Sequence, residues 1–117
     1  MKYRLRNLTR GTLLGDSIDI ADTSAKRNRG LLKHTELRAG EGLWITPCEG
    51  VHTFFMKFAI DLVYLDRAHK VKKVRHAVVP WRMSACLSAH SIIELPAGAA
   101  RQSLTQAGDD LEIEKLA

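Results

Sequence analysis

The sequence predicts a mainly β fold: a single-domain antiparallel β-sandwich or partly open barrel with one or two short helices. Three observations predict it. Short apolar stretches recur along the chain with turn residues between them. The most hydrophobic stretch, Val51 to Asp66, contains a segment apolar on both faces of a strand. A doubly wound α/β fold would need a helix between most strands, and there are too few helical patterns to supply them.

Each element has its own local reason. Tyr3 to Thr9 alternates basic and apolar residues and reads as a first strand. Asp16 to Asp22 places Ile18 and Ile20 on one face of a second. Thr23 or Ser24 can cap a helix running to about Lys33, weakened by Gly30. Gly40 and Gly42 break the chain before an apolar strand at Leu43-Trp44-Ile45, and Pro47-Cys48-Glu49-Gly50 forms a turn or bulge. Asp66 to Lys70 reads as a hairpin turn returning through Val71 to Val79. Pro80-Trp81-Arg82 ends that strand, and His90 to Leu95 is another. A short helix from Gly98 to Gln106 closes at Gly108, and Leu111 and Ile113 alternate with glutamates in a last strand.

The segment Phe58 to Asp66 carries the sharpest question. Strand alternation puts Phe58, Ile60, Leu62 and Tyr64 on one side, with Ala59, Asp61, Val63 and Leu65 on the other. A carboxylate among such neighbours must find donors or a cation, become protonated, or sit at the mouth of a pocket. Arg29, Lys57 and His52 are the candidate partners. The structural alternative is a carboxylate paired inside the fold or bonded to backbone amides.

Composition excludes several classes. The 117 residues suffice for one hydrophobic core, and a 45% apolar, 26% charged composition is that of an ordered globular chain. No apolar run approaches the ~20 residues of a membrane-spanning helix. The N-terminus interleaves charge with apolar residues and makes a poor signal peptide. With Cys48 and Cys86 the only cysteines, the expectation is a cytoplasmic protein with reduced thiols. A net charge of +5 permits an anionic partner. The densest basic stretch, Arg67 to His76, is a candidate nucleic-acid surface, but no aromatic is interleaved with it. The alternative is the solvated rim of a hairpin.

Several blocks together resemble a known family. Arg29-Gly30-Leu31-Leu32, the stretch His52 to Asp66, Pro80-Trp81-Arg82, Ile93-Glu94-Leu95-Pro96-Ala97-Gly98 and Gly108-Asp109 are similar, in order and spacing, to the motifs of the bacterial and archaeal domain of unknown function 192. The likeness covers about residues 21 to 114. Leu32 stands where the family carries methionine and Ala59 where many relatives carry proline; both departures alter packing more than chemistry. The resemblance implies a compact, mainly β, sandwich-like fold and supplies no activity. Many relatives look exported or lipid-anchored, whereas this chain shows no export signal.

Two Cys–His pairs, Cys48 with His52 and Cys86 with His90, share a four-residue spacing that would suit zinc on helices. On a strand the same spacing separates residues by roughly 13 Å, too far for a shared metal. No metal and no cofactor is therefore expected. Cys48 activated by His52 is the enzymatic alternative, hydrolase-like or thiol-dependent. No nucleophile elbow, phosphate loop or zinc-protease signature accompanies it. The sequence therefore favours a non-enzymatic binding domain with a pocket lined by Arg29, His52, Asp61 and Trp81. Its partner would be a small molecule, a glycan or another protein, with nucleic acid as the alternative.

Overall fold

A computed structural model describes residues 2–116. The basic–apolar alternation at the N-terminus forms β1 (Tyr3–Asn7), which returns as the long β2 (Thr12–Ala21). Thr23 caps α1 (Ser24–Arg29), its hydroxyl accepting the Lys26 amide at 3.2 Å. Gly30 stops that helix well before Lys33: it takes φ 49° and donates its amide back to the Lys26 carbonyl. There follow β3 (Glu41–Ile45), β4 (Gly50–His52), β5 (Ile60–Leu65), β6 (Val71–Val78), β7 (Met83–Ala85), β8 (Ser91–Pro96), α2 (Ala99–Gln102) and β9 (Leu111–Lys115). The second helix is one turn rather than a run to Gln106. The Ser103 hydroxyl donates to the Ala99 carbonyl at 2.8 Å, and Leu104 turns left-handed at φ 60°.

Seven strands form one curled sheet in the order β6-β5-β8-β3-β2-β1-β9, and β4 pairs with β7 in a small separate ribbon. The sheet is mixed, which corrects the antiparallel expectation: β2 and β3 run parallel from Ser17↔Glu41 to Ala21↔Ile45. The reason is the connection. The chain leaving β2 passes through α1 and the loop after it before returning, so β3 re-enters in the same direction. The edge strands approach one another at one end through a bridge at Lys70↔Asp110, and the Val71 amide donates to the Asp109 carbonyl at 2.8 Å. The result is a half-barrel.

The strand expected to be covered on both sides is β5, all six of whose residues are buried. Val63 and Leu65 join Leu5, Ile18, Ile93 and Leu95 in the core within the curl. Ile60, Leu62 and Tyr64 join Leu31, Ile45 and Met56 in a second core on the opposite face. That second core is roofed by the loop after α1, the 46–59 segment and the β4–β7 ribbon, whose Ser84 hydroxyl lies 2.7 Å from the Tyr64 hydroxyl. The end of the half-barrel is sewn by polar groups. Asn7 donates to Asp109 at 2.9 Å and to Thr105 at 3.1 Å, and Arg10 pairs with the same carboxylate. Burial works to raise the Asp109 pKa, but these donors and the Gln106 amide outweigh it and hold it low.

Candidate functional site

The two faces of the sheet separate the carboxylates of its central strands. On β8, Glu94 lies opposite Leu62 and Leu43 and so points into the second core. Asp61, one residue along β5 from Leu62, points the other way. Its carboxylate is fully buried and accepts three backbone amides: Ala77 at 2.8 Å, Gly98 at 3.1 Å and Ala100 at 2.9 Å. Gly98, left-handed at φ 97°, precedes α2 without a side-chain cap of its own. Asp61 supplies that function from a neighbouring strand. It thereby ties β5, β6 and the start of α2 together.

Glu94 has no such partners. It is 4% exposed, and its Oε1 has no hydrogen-bond partner among the described residues. Removal from water disfavours the charged form and pushes its carboxyl up to about 7. This side chain lines a cleft of about 300 Å³ between α1 and the 45–52 segment, together with Arg27, Arg29, Cys48, His52 and Met56. The Arg29 guanidinium makes no hydrogen bond or ion pair with any described residue. Arg27 holds the Thr46 carbonyl at 3.4 Å and the Ser24 hydroxyl at 3.3 Å. A buried, unsatisfied carboxyl therefore shares its cleft with two arginines.

The thiol in this cleft is not set up as a nucleophile. Cys48 Sγ donates to the Gly50 carbonyl at 3.0 Å, and no hydrogen bond joins it to His52. Burial pushes its pKa up, the opposite of activation. Cys86 Sγ lies 3.4 Å from the Ser88 hydroxyl, and the Cys48 amide donates to the His90 carbonyl. Among the described residues no group of three or more His, Cys, Asp or Glu side chains is placed to hold a metal.

His52 leads out of the cleft onto a run of rings. Its imidazole stacks on Phe54 at 4.9 Å, Phe54 stacks on Trp81 at 5.7 Å, and Phe55 meets Trp81 edge-on at 4.7 Å. Buried Thr53 positions both loops involved. Its hydroxyl donates to the Val79 carbonyl at 2.7 Å and accepts the Arg82 amide at 2.8 Å, while its carbonyl accepts the Trp81 amide. Phe55 and Trp81 are held left-handed, at φ 65° and 69°.

Of the four residues proposed from sequence, Arg29 and His52 line the cleft, Trp81 joins it through Phe54, and Asp61 is on the far side of the sheet. The basic stretch 67–76 is largely occupied. Lys70 pairs with Asp110 at 3.0 Å, Lys73 donates to the Ala85 carbonyl at 2.8 Å, and Arg75 reaches Ser84 at 3.4 Å. Glu94 was not among the residues proposed from sequence. The signal was available: a lone acid in Ile92-Ile93-Glu94-Leu95 is the same anomaly that drew attention to Asp61.

Comparison with other proteins bears on the fold and the family. The family model for domain of unknown function 192, described as "Uncharacterized ACR", matches residues 7–113. A "UPF0127 protein" of Thermococcus sibiricus is 33% identical over 116 residues, covering 94% of this chain and 74% of its own. Another from Thermococcus gammatolerans is 31% identical, covering 88% and 70% respectively. Among solved structures, a "putative transcription regulator" from Sinorhizobium meliloti superposes with TM-score 0.83 at 18% identity, over 96% of this chain and 92% of its own. A protein of unknown function from Novosphingobium aromaticivorans reaches 0.76 at 20% identity, over 96% and 84%.

Proposed function

The chain belongs to the domain of unknown function 192 family, and from that premise we propose that it is a non-enzymatic binding domain whose cleft takes a small zwitterionic ligand. One observation carries the proposal: Glu94 is buried at the cleft with its Oε1 unpartnered. An unsatisfied buried acceptor costs about 1–3 kcal/mol, a penalty that a ligand donor would remove. A ligand ammonium supplies both the donor and the charge that favours ionised Glu94. Arg29, whose guanidinium has no partner among the described residues, offers the planar fork that receives a carboxylate bidentately. His52 forms part of the wall between them and the aromatic run ending at Trp81. Asp61 serves this site indirectly, by fixing the central strands from the opposite face.

A thiol enzyme is disfavoured by the neutral Cys48 and its lack of a histidine partner. The neighbour described as a transcription regulator raises nucleic acid as a reading for this chain too. Against it, Lys70, Lys73 and Arg75 are engaged within the fold.

The test is a thermal-shift series at pH 7.5 with free α-amino acids, matched alkylamines and matched monocarboxylates. At ten times Kd, a bound amino acid should raise Tm by roughly 5 °C. The amine-only and acid-only probes should do much less. Arg29→Ala and Glu94→Gln should each abolish the shift while remaining folded. The proposal is refuted if no amino acid shifts the wild type, or if both variants respond as it does.

A further inference from the structure

Beyond the cleft, we propose that the aromatic ledge at Phe55, Trp81 and Met83 is a docking surface for an anionic lipid membrane. The inference does not rest on the cleft's ligand.

The ledge is exposed at a cost. Phe55 is 68% exposed, Trp81 57% and Met83 73%, with Val79 beside them at 45%. Large aromatics rarely adopt positive φ, yet Phe55 and Trp81 both do, and Thr53 clamps the two loop backbones there. Met83 lies opposite His52 in the β4–β7 ribbon, continuing the apolar surface from the ring stack. Neither folding nor the cleft accounts for holding such side chains out in water.

The charge around the ledge names the class of partner. The stretches that carry it, residues 50–60 and 76–93, contain two cations, Lys57 and Arg82, and no Asp or Glu. Lys57 and Arg82 directly follow the ledge loops in sequence, and both are exposed. A neutral or basic partner is disfavoured by this arrangement.

Between a membrane and a single-stranded nucleic acid, the apolar residues choose. Single-stranded nucleic acid stacks its bases on free aromatic faces. Here Phe54 is enclosed between His52 and Trp81, and Phe55 packs edge-on to Trp81. Met83 and Val79 offer no stacking face at all. Aliphatic and aromatic side chains together, with cations beside them, match the acyl boundary and anionic headgroups of a bilayer interface. Trp81 suits this position, with an apolar ring body and a polar N–H.

The experiment is co-sedimentation of the intact protein with phosphatidylserine-containing vesicles and with pure phosphatidylcholine vesicles, alongside Trp fluorescence. Binding to the anionic vesicles, with a blue shift of the emission, is expected. Trp81→Ala and Phe55→Ala should each weaken it about tenfold, the loss expected from one inserted aromatic. Leu8→Ala, at an equally exposed leucine between β1 and β2, should leave it unchanged. Unchanged Tm in the two ledge variants separates lost docking from lost folding. The idea is overturned by absence of vesicle binding or by equal binding to both vesicle types. Full binding by the Phe55→Ala/Trp81→Ala double variant would overturn it as well. So would ledge-dependent binding of a single-stranded oligonucleotide without vesicle binding.

Discussion

Replacing Glu94 with glutamine should change how stability depends on pH more than any other single substitution on this side of the sheet. The wild-type carboxyl is pushed from an ordinary 4.5 up to about 7 by burial alone. Between those values the native protein holds a proton that the unfolded chain has released. Stability from this group is therefore complete below about pH 4.5, falls as pH rises through 7, and is flat beyond. At ~1.4 kcal/mol per pH unit, the interval corresponds to a loss of about 3 kcal/mol. In a chain of this size that is a large share of total stability, equivalent to roughly 10 °C in Tm. Half-buried His69 works in the opposite direction: its pKa is lowered by desolvation, so its contribution is gained as pH rises. Comparing wild type with Glu94→Gln removes His69 and every other shared group from the difference. The assay is urea unfolding of both proteins at pH 4.5, 6, 7 and 8. Glu94→Gln should lack the decline, gaining about 3 kcal/mol relative to wild type between the lowest and highest pH. A constant difference across the series would refute the assignment of a buried, proton-holding Glu94.

Asp61→Ala leaves the amides of Ala77, Gly98 and Ala100 without their acceptor and should cost roughly 3–5 kcal/mol by urea unfolding; near-wild-type stability would contradict its role as a tie. Thr53→Val keeps the side-chain shape but removes the bonds to the Val79 carbonyl and Arg82 amide, and should cost about 2 kcal/mol in the same assay. Cys48, measured in a Cys86→Ser background, should be alkylated by iodoacetamide at pH 7.5 at least about tenfold more slowly than free cysteine, because burial disfavours its thiolate. A rate equal to or above that of free cysteine would restore the thiol-enzyme reading. Gly42→Ala should cost more than about 2 kcal/mol, since a Cβ there would lie 2.7 Å from the Glu94 carbonyl oxygen across the β3–β8 pair.

Much of the fold was legible because it rests on local rules. The hairpin of β5 and β6 follows from alternation on both sides of the Asp66–Lys70 turn, where the Asp66 side chain accepts the Ala68 and Lys70 amides at 2.9 Å. The start of α1 follows from the Thr23 cap. The two-sided burial of β5 was written in its lack of a polar face. What local rules cannot give is the direction of β3, because parallel pairing with β2 depends on how the intervening helix and loop cross the sheet. The same limit governed the site. Alternation placed Asp61 on the face opposite Leu62 and Tyr64, yet it could not say that the amides at the start of α2 would arrive there to satisfy it.

By itself, then, the sequence determined a mainly β chain with a doubly covered central strand and a carboxylate in that strand that had to be accounted for. Pattern and propensity act between near neighbours, and those features depend on near neighbours. Only the tertiary structure decided which buried acid was answered and which was left open. Asp61 faces a cluster of backbone donors brought from 16 to 39 residues away, whereas Glu94 faces a cleft with no donor for its Oε1. The physical difference lies in which face of one sheet each side chain takes, and in what the rest of the chain folds onto that face.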